Sequence, residues 1–222
     1  MPDHHSLLLF IAAGLLLNLT PGPDVLYIVT RSLRSGFRAG IVAGLGITAG
    51  CFVHITAAAL GVSALMSAST TAFLVLKWLG AAYLLWIGTR MILTHRTEPR
   101  SAPEADSNAG DFPSMKSIFL GGFWTNALNP KVALFFLAFV PQFIAPGADN
   151  KPLAFFLLGV LFNFNAILVN VAWALLAGWT GRRVGVVQRG IHWLQRGAGV
   201  LFVGFGLRLA TSDNPLAAPS NH

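Results

Sequence analysis

The sequence has little charge, since only 10% of its 222 residues are Asp, Glu, Lys or Arg. Soluble domains carry roughly 25% charged residues, so the composition argues against a water-soluble fold. Apolar residues make up 55% of the chain, and residues 7–19, 41–53 and 132–140 contain no charge at all. Such runs are typical of helices that cross a bilayer.

Cysteine is nearly absent as well. The single Cys51 excludes an internal disulfide, a CxxC redox pair and a cysteine-rich metal site. We expect no metal and no cofactor. No Lys or Arg precedes Arg31, and the first apolar run lacks a positive segment before it and an A-x-A pattern after it, so we do not interpret it as a cleaved signal peptide.

Six apolar segments are long enough to span a bilayer, which needs roughly 20 helical residues. The sequence therefore predicts an all-α integral membrane protein with six transmembrane helices. The segments are residues 6–30, 41–65, 70–93, 117–143, 152–178 and 198–211.

A polar stretch divides the chain into two halves. Residues 94–114 have too little apolar content to fold alone and predict a flexible linker. Residues 1–93 and 115–211 then hold three helices each, and the polar residues 212–222 predict a disordered tail. With three spans in each half, the halves insert in opposite orientations, as two inverted repeats.

The net charge of +7 indicates topology rather than nucleic-acid binding, because the basic residues lie between apolar segments and not on one solvated face. Most of the fifteen Lys and Arg residues fall in alternate loops: Arg31, Arg34 and Arg38; Arg90, Arg96, Arg100 and Lys116; Arg182, Arg183, Arg189 and Arg196. The positive-inside rule places these loops, the first, third and fifth, in the cytoplasm. Both termini are therefore predicted outside it.

Proline motifs interrupt the first and the fourth helix. The first motif comprises Thr20, Pro21, Gly22, Pro23 and Asp24, and the second comprises Asn126, Asn129, Pro130 and Lys131. A proline inside a helix removes a backbone donor and costs about 3 kcal/mol. In lipid the freed groups must be satisfied by protein or must line a water-filled cavity. Neither span can be a continuous helix.

Each motif also carries one charged residue. A lysine or aspartate at the centre of a span costs about 2.5–3.5 kcal/mol on insertion scales, so Asp24 and Lys131 are expected to face a cavity or a partner. One interpretation pairs them only to fix the helix arrangement. The other places a transport site here, because broken helices at matching places in inverted halves indicate a transporter's binding site. Helix N-termini would bind a substrate carboxylate, and Asp24 an ammonium group.

Other polar residues lie within the spans. His54 is either a proton carrier beside Asp24 or a neutral histidine bonded to a neighbouring helix. Asn163 and Asn170 share a face and are expected to form interhelical hydrogen bonds or to contact substrate. The glycine pairs 40/44 and 46/50 predict close helix approach. Trp124, next to the second break, is expected to line a pocket.

The two motifs and their surroundings resemble the LysE/RhtB family of amino-acid exporters. The resemblance extends over nearly all of residues 5–210. The resemblance rests on the first motif, on residues 31–40, on Gly44-Leu-Gly46 and His54, on residues 80–88, and on residues 126–136. It implies a multi-pass protein of the bacterial inner membrane that expels lysine, threonine, homoserine or related compounds, driven by protons. Its partners would be a small amino-acid-like substrate, protons and the lipid bilayer.

Other functions remain as alternatives. An intramembrane serine protease needs a nucleophile and a base within hydrogen-bonding reach, but Ser63 and His54 are nine residues apart on one helix. A metal-ion exporter would need several carboxylates, histidines or thiols in the spans. Export of another small solute and a non-transporting membrane scaffold stay open, as does assembly into homo-oligomers.

Overall fold

The computed structural model describes residues 4–93, 113–144, 148–180, 196–197, 199–207 and 210–211, and these parts of the chain contain helices and no strand. Nearly all of the predicted linker, the fifth loop and the tail lie outside the described residues. Of the sixth predicted segment, residues 199–207 and 210–211 are described, and they are helical.

The first predicted helix is broken as expected. Helix α1 spans His4–Leu19 and helix α2 begins at Pro23. The residue before a proline is pushed away from helical backbone angles, and here Thr20 precedes Pro21 while Gly22 precedes Pro23. Gly22 is accordingly extended, with φ −151° and ψ −170°. Two prolines in alternate positions thus end one helix and start the next.

Helix α2, Pro23–Ala57, is a hairpin that turns at Gly36. Gly36 has φ 83° and ψ 169°, a conformation that favours glycine. A Cβ atom placed on Gly40 would collide with Ser32 Oγ, and one on Gly44 would lie 3.8 Å from Ile28 Cδ1. Residues 32 and 40, and residues 28 and 44, are therefore close in space and equally far from residue 36 along the chain. The arms 23–35 and 37–57 thus pack against each other. The sequence predicts a break between the first two apolar segments. The structure places the reversal at Gly36, the one residue of α2 with non-helical backbone angles.

The second arm of α2 continues through a π-helical turn, Ala58–Val62, into α3, Ser63–Ala68, and α4 follows over Thr70–Leu93. In the second half, α5 spans Met115–Ala127 and α6 spans Pro130–Leu134. Helix α6 leads into a second π-helical turn, Phe135–Phe139, and a 3-10 turn, Val140–Phe143. Helix α7 spans Lys151–Thr180.

Two helical stretches of the described chain, Pro23–Leu65 and Lys151–Trp179, are long and apolar enough to span a membrane. The first includes the Gly36 turn. Met115–Ala127 and Pro130–Phe143 meet the same test only as a pair, bent by 44°. The bend falls at Leu128 and Asn129, where the second break was predicted.

Glycines allow the second arm of α2 to touch α5 through the backbone. A Cβ atom on Gly46 would collide with the carbonyl oxygen of Phe119, and one on Gly50 with that of Phe123. The predicted close helix approach is confirmed at these two positions. Helix α2 packs chiefly against α5 and α7, and this three-helix arrangement surrounds the site described below.

The main core beside these helices is aromatic. Phe10 of α1, Phe135 and Phe139 of the second π turn, and Phe162 of α7 are all fully or almost fully buried. Phe135 and Phe162 lie with ring centroids 4.8 Å apart. The opposite face of α7 exposes large apolar side chains, including Phe156, Phe164 and Leu168, as expected of a surface in contact with lipid.

Candidate functional site

The two breaks meet, and the carboxylate of Asp24 is held by the opposite half of the chain. Nδ2 of Asn126 and Nδ2 of Asn129 both donate to Asp24 Oδ2, over 3.1 and 2.8 Å. Asn129 is also the N-cap of α6, since its Oδ1 accepts from the backbone N–H of Lys131 at 3.0 Å. The residue that starts α6 therefore also fixes Asp24.

The ammonium of Lys131 is held in turn by the first break. Lys131 Nζ donates to the carbonyl oxygens of Leu17 and Thr20, over 3.0 and 3.1 Å. The last carbonyls of a helix lack intrahelical partners and carry partial negative charge, so the end of α1 is suited to a cation. A Cβ atom on Gly22 would lie 3.3 Å from Lys131 Nζ, so glycine leaves the space that the ammonium uses.

Asp24 and Lys131 do not bind each other directly. No ion pair within 4.0 Å joins these two described residues, and their hydrogen bonds go to the amides and carbonyls already named. Both charges line the same cavity. The two groups therefore form no direct ion pair, and each instead braces the break in the other half of the chain.

His54 joins the same network from the second arm of α2. Its Nε2 donates to the backbone carbonyl of Asn126 over 2.8 Å, and its ring stacks on Phe136 with centroids 6.4 Å apart. The bond to a neighbouring helix was one of the two predicted roles. Because the side chain of Asn126 donates to Asp24, the ring of His54 and the carboxylate of Asp24 are bonded to the same residue.

A small cavity lies where the two halves meet. Its volume is about 20 Å³, roughly the space of one water molecule. Besides the two charged residues, its walls include apolar side chains such as Leu17, Val25 and Phe162. The site is therefore closed in this structure, and binding of any larger molecule requires the surrounding helices to move.

Five of the residues that line the cavity each carry a buried polar atom with no hydrogen-bond partner in the described part of the chain. Three are acceptors: Asp24 Oδ1, Asn126 Oδ1 and Asn163 Oδ1. Two are donors: Asn18 Nδ2 and Asn170 Nδ2. A buried polar group without a partner costs about 1–3 kcal/mol, so a cluster of five around one cavity is a feature of ligand sites rather than of a packed core.

The structure brings the predicted motif residues together, but sequence reasoning missed part of the site. Asn18 received no role, although it lies one turn before Pro21, and Asn163 and Asn170 were expected chiefly to bond between helices. Asn163 does so, donating to the carbonyl of Thr48 over 3.1 Å, and the residue also lines the cavity. The expectation for Trp124 was wrong, because its side chain is 57% exposed and does not line the cavity.

Among the described residues, no group of three or more His, Cys, Asp or Glu side chains could hold a metal ion. The charged groups of the site are one carboxylate and one ammonium. This donor set is suited to an organic molecule that carries charges of both signs.

Comparison with known proteins agrees with the resemblance in the two motifs. A family profile described as LysE type translocator matches residues 15–213. An uncharacterized membrane protein of Pseudomonas aeruginosa is 34% identical over 87% of this chain and 89% of its own length. Leucine efflux proteins of Klebsiella pneumoniae and of an Enterobacter species are each 28% identical, over 92% and 91% of this chain and 94% and 93% of their own lengths. No solved structure matches the chain.

Proposed function

Because this chain belongs to the family of LysE type translocators, we propose that it exports amino acids or close derivatives from the bacterial cytoplasm across the inner membrane. Family membership makes it a membrane transporter and not an enzyme. Leucine is the first substrate to test, since two relatives are leucine efflux proteins. The apolar part of the cavity wall, which includes Leu17, Val25 and Phe162, suits an aliphatic side chain.

The observation that carries this proposal is the set of unpartnered atoms on the cavity wall. The α-ammonium of an amino acid has three N–H donors, and the wall offers three free acceptor oxygens, on Asp24, Asn126 and Asn163. The α-carboxylate needs donors, and Asn18 and Asn170 each offer one. Hydrogen bonds to charged groups contribute about 1.5–3 kcal/mol each, enough to offset the removal of a zwitterion from water only when several act together.

The proposed coupling is proton antiport, and it is supported by a single carboxylate that can serve two ligands. Asp24 is the acidic residue of the cavity wall, and it can neutralise either a substrate ammonium or a proton. Binding of one excludes the other, so a proton that enters from outside displaces the substrate ammonium. Intramembrane carboxylates commonly carry protons in transporters, which supports this role.

The proposed architecture has six spans, arranged as two inverted repeats of three helices. Local symmetry supports it, because Pro23, Asp24 and Val25 start α2 in the same order as Pro130, Lys131 and Val132 start α6. The Gly36 turn would lie in the cytoplasm, since Arg31, Arg34 and Arg38 flank it, and both termini would lie outside.

The deciding experiment is uptake of labelled amino acids into inverted membrane vesicles with an imposed proton gradient. Vesicles with this protein should accumulate leucine, and dissipating the gradient should abolish accumulation. Asp24→Asn should lower uptake at least ten-fold, because the substrate ammonium loses its counter-charge. Asp149→Asn is the matched control, since Asp149 is exposed in the turn before α7.

Two results would contradict the proposal. If no amino acid in a full panel accumulates while the protein is present and folded, the substrate belongs to another class. If Asp24→Asn transports as well as Asp149→Asn, the carboxylate takes no part in transport.

A further inference from the structure

Beyond the cavity, buried polar atoms continue along the contact between α2 and α7. Asn170 Nδ2 lies on the cavity wall, and Trp173 Nε1 follows one turn later on α7. Ser32 Oγ lies on the first arm of α2. Among the described residues none of these three atoms has a hydrogen-bond partner, and the side chains are only 6%, 7% and 2% exposed.

Contacts at two glycines place Ser32 and Asn170 along one narrow seam, and Trp173 packs in the same buried cluster as Ala39 and Ala43. A Cβ atom on Gly44 would lie 3.2 Å from the Cβ of Asn170. At Gly40 an added Cβ would meet Ser32 Oγ on one side and the Cβ of Ala174, the neighbour of Trp173, at 3.1 Å on the other. We call Ser32, Gly40, Asn170, Trp173 and Ala174 the α2–α7 seam. It leads from the cavity toward the turn at Gly36.

The chemistry of the seam selects one kind of ligand. An amide N–H, an indole N–H and a hydroxyl can all donate, and none of the three atoms has an acceptor in the described chain. In a membrane interior each such donor costs free energy until an acceptor reaches it. Arg34 and Arg38, both exposed beside the Gly36 turn, supply positive charge at the end of the seam. A row of hydrogen-bond donors that ends beside positive charge favours a carboxylate as its ligand.

We propose that the α2–α7 seam is a carboxylate subsite, through which the carboxylate of the substrate passes between the cytoplasmic side and the cavity. The inference rests on the proposed export function, for which it supplies the cytoplasmic route. The carboxylate bonds successively to Ser32, Trp173 and Asn170 while the ammonium approaches Asp24. Opening requires separation of α7 from the hairpin at Gly40 and Gly44, where the helices are in closest contact.

Thiol labelling tests the route. In a Cys51→Ala background, which has no other cysteine, Ser32→Cys should react with a membrane-impermeant maleimide added to inverted vesicles. Ala81→Cys is the matched control, because Ala81 is almost fully buried in the separate aromatic core and not in the seam. Ser32→Cys should react at least ten times faster. Equal rates for the two thiols would overturn the proposal.

Protection by small molecules identifies the group that binds. Leucine and 4-methylpentanoate, which has the carboxylate but no ammonium, should each slow labelling of Ser32→Cys at least three-fold, whereas leucinamide should not. Equal protection by leucinamide would overturn the carboxylate assignment. Protection by 4-methylpentanoate without export of any amino acid would refute the proposed function and leave the subsite standing. Leucine export without protection would refute the subsite alone.

Trp173→Phe removes one N–H and keeps most of the ring. The KM for leucine should rise roughly ten- to a hundred-fold, as for loss of one hydrogen bond to a carboxylate. The kcat should stay within about two-fold, and the thermal midpoint within about 2 °C, of the values for the starting protein. Trp179→Phe on the same helix is the control, since Trp179 is 88% exposed. An unchanged KM in Trp173→Phe would remove the indole from the route.

Discussion

Asp24 and Lys131 hold matching positions at the two breaks, and the side chain of each is bound by residues of the other break. Each is the second residue of a helix that begins with proline. The Asp24 carboxylate accepts from Asn126 and Asn129 at the second break, and the Lys131 ammonium donates to Leu17 and Thr20 at the first. Each break is thus completed by the charge of the other half, so the two halves depend on one another at the site.

Lys131→Met should both destabilise the protein and abolish transport. The carbonyls of Leu17 and Thr20 would lose their donor, at a cost of about 2–3 kcal/mol, and the thermal midpoint in detergent should fall by roughly 4–12 °C. Lys116→Met removes an exposed ammonium at the start of α5 and should change neither quantity. A Lys131→Met protein with the stability and leucine uptake of Lys116→Met would show that the first break does not need the cation.

Asn129→Asp should separate the two roles of Asn129. The aspartate keeps an N-cap oxygen for Lys131 N–H but replaces the donor to Asp24 with a second negative charge. Leucine uptake should fall at least ten-fold, and the thermal midpoint should fall as well, because two neighbouring buried carboxylates repel each other.

Asn129→Ala is the comparison, because it removes both cap and donor. Its uptake should fall as well, and its stability should drop by about 1 kcal/mol. Native uptake in Asn129→Asp would mean that the amide does not position Asp24.

His54→Gln tests which of its two predicted roles His54 has. Glutamine retains an N–H that can reach the Asn126 carbonyl, so gradient-driven leucine uptake should keep at least about half of its native rate. His54→Phe keeps a ring beside Phe136 but has no donor. The Asn126 carbonyl then keeps only its bond from the Asn129 N–H, and the loss of one hydrogen bond should lower stability by about 1 kcal/mol. If His54→Gln takes up leucine without responding to the proton gradient, His54 is instead the proton carrier.

Gly46→Ala should disrupt the contact between α2 and α5. The added methyl group would collide with the carbonyl oxygen of Phe119, and overpacking of this kind costs about 1–3 kcal/mol. Gly61→Ala is the matched control, because a Cβ atom there meets nothing within 4 Å. Thermal unfolding in detergent should show a lower midpoint for Gly46→Ala and an unchanged or higher one for Gly61→Ala.

The breaks could be predicted because proline acts locally. Pro21, Pro23 and Pro130 remove backbone donors wherever they stand, and an aspartate or a lysine beside them needs a polar environment in any membrane fold. The turn between the two arms of α2 could not be located so closely. Arginine, serine and leucine are compatible with a helix, and only the backbone angles of Gly36 show that the reversal takes a single residue.

The polar lining of the site was harder to predict, because it depends on how each helix is rotated. Helix α5 is apolar on most of its surface, so no pattern shows that Asn126 points inward while Trp124 points outward. Asn18 and Asn170 lie far apart in sequence and meet only through the packing of α1 and α7 around the hairpin. Three-dimensional packing, rather than spacing along the chain, therefore determines which asparagines line the cavity.

The small volume of the cavity has a consequence for the cell that holds this protein in its membrane. About 20 Å³ admits one water molecule and not a file of them, and protons cross a membrane rapidly only along such files or along chains of titratable groups. In this conformation the cavity beside Asp24 holds no such file, so the site offers protons no continuous water path across the membrane. A proton reaches the carboxylate only when the surrounding helices move.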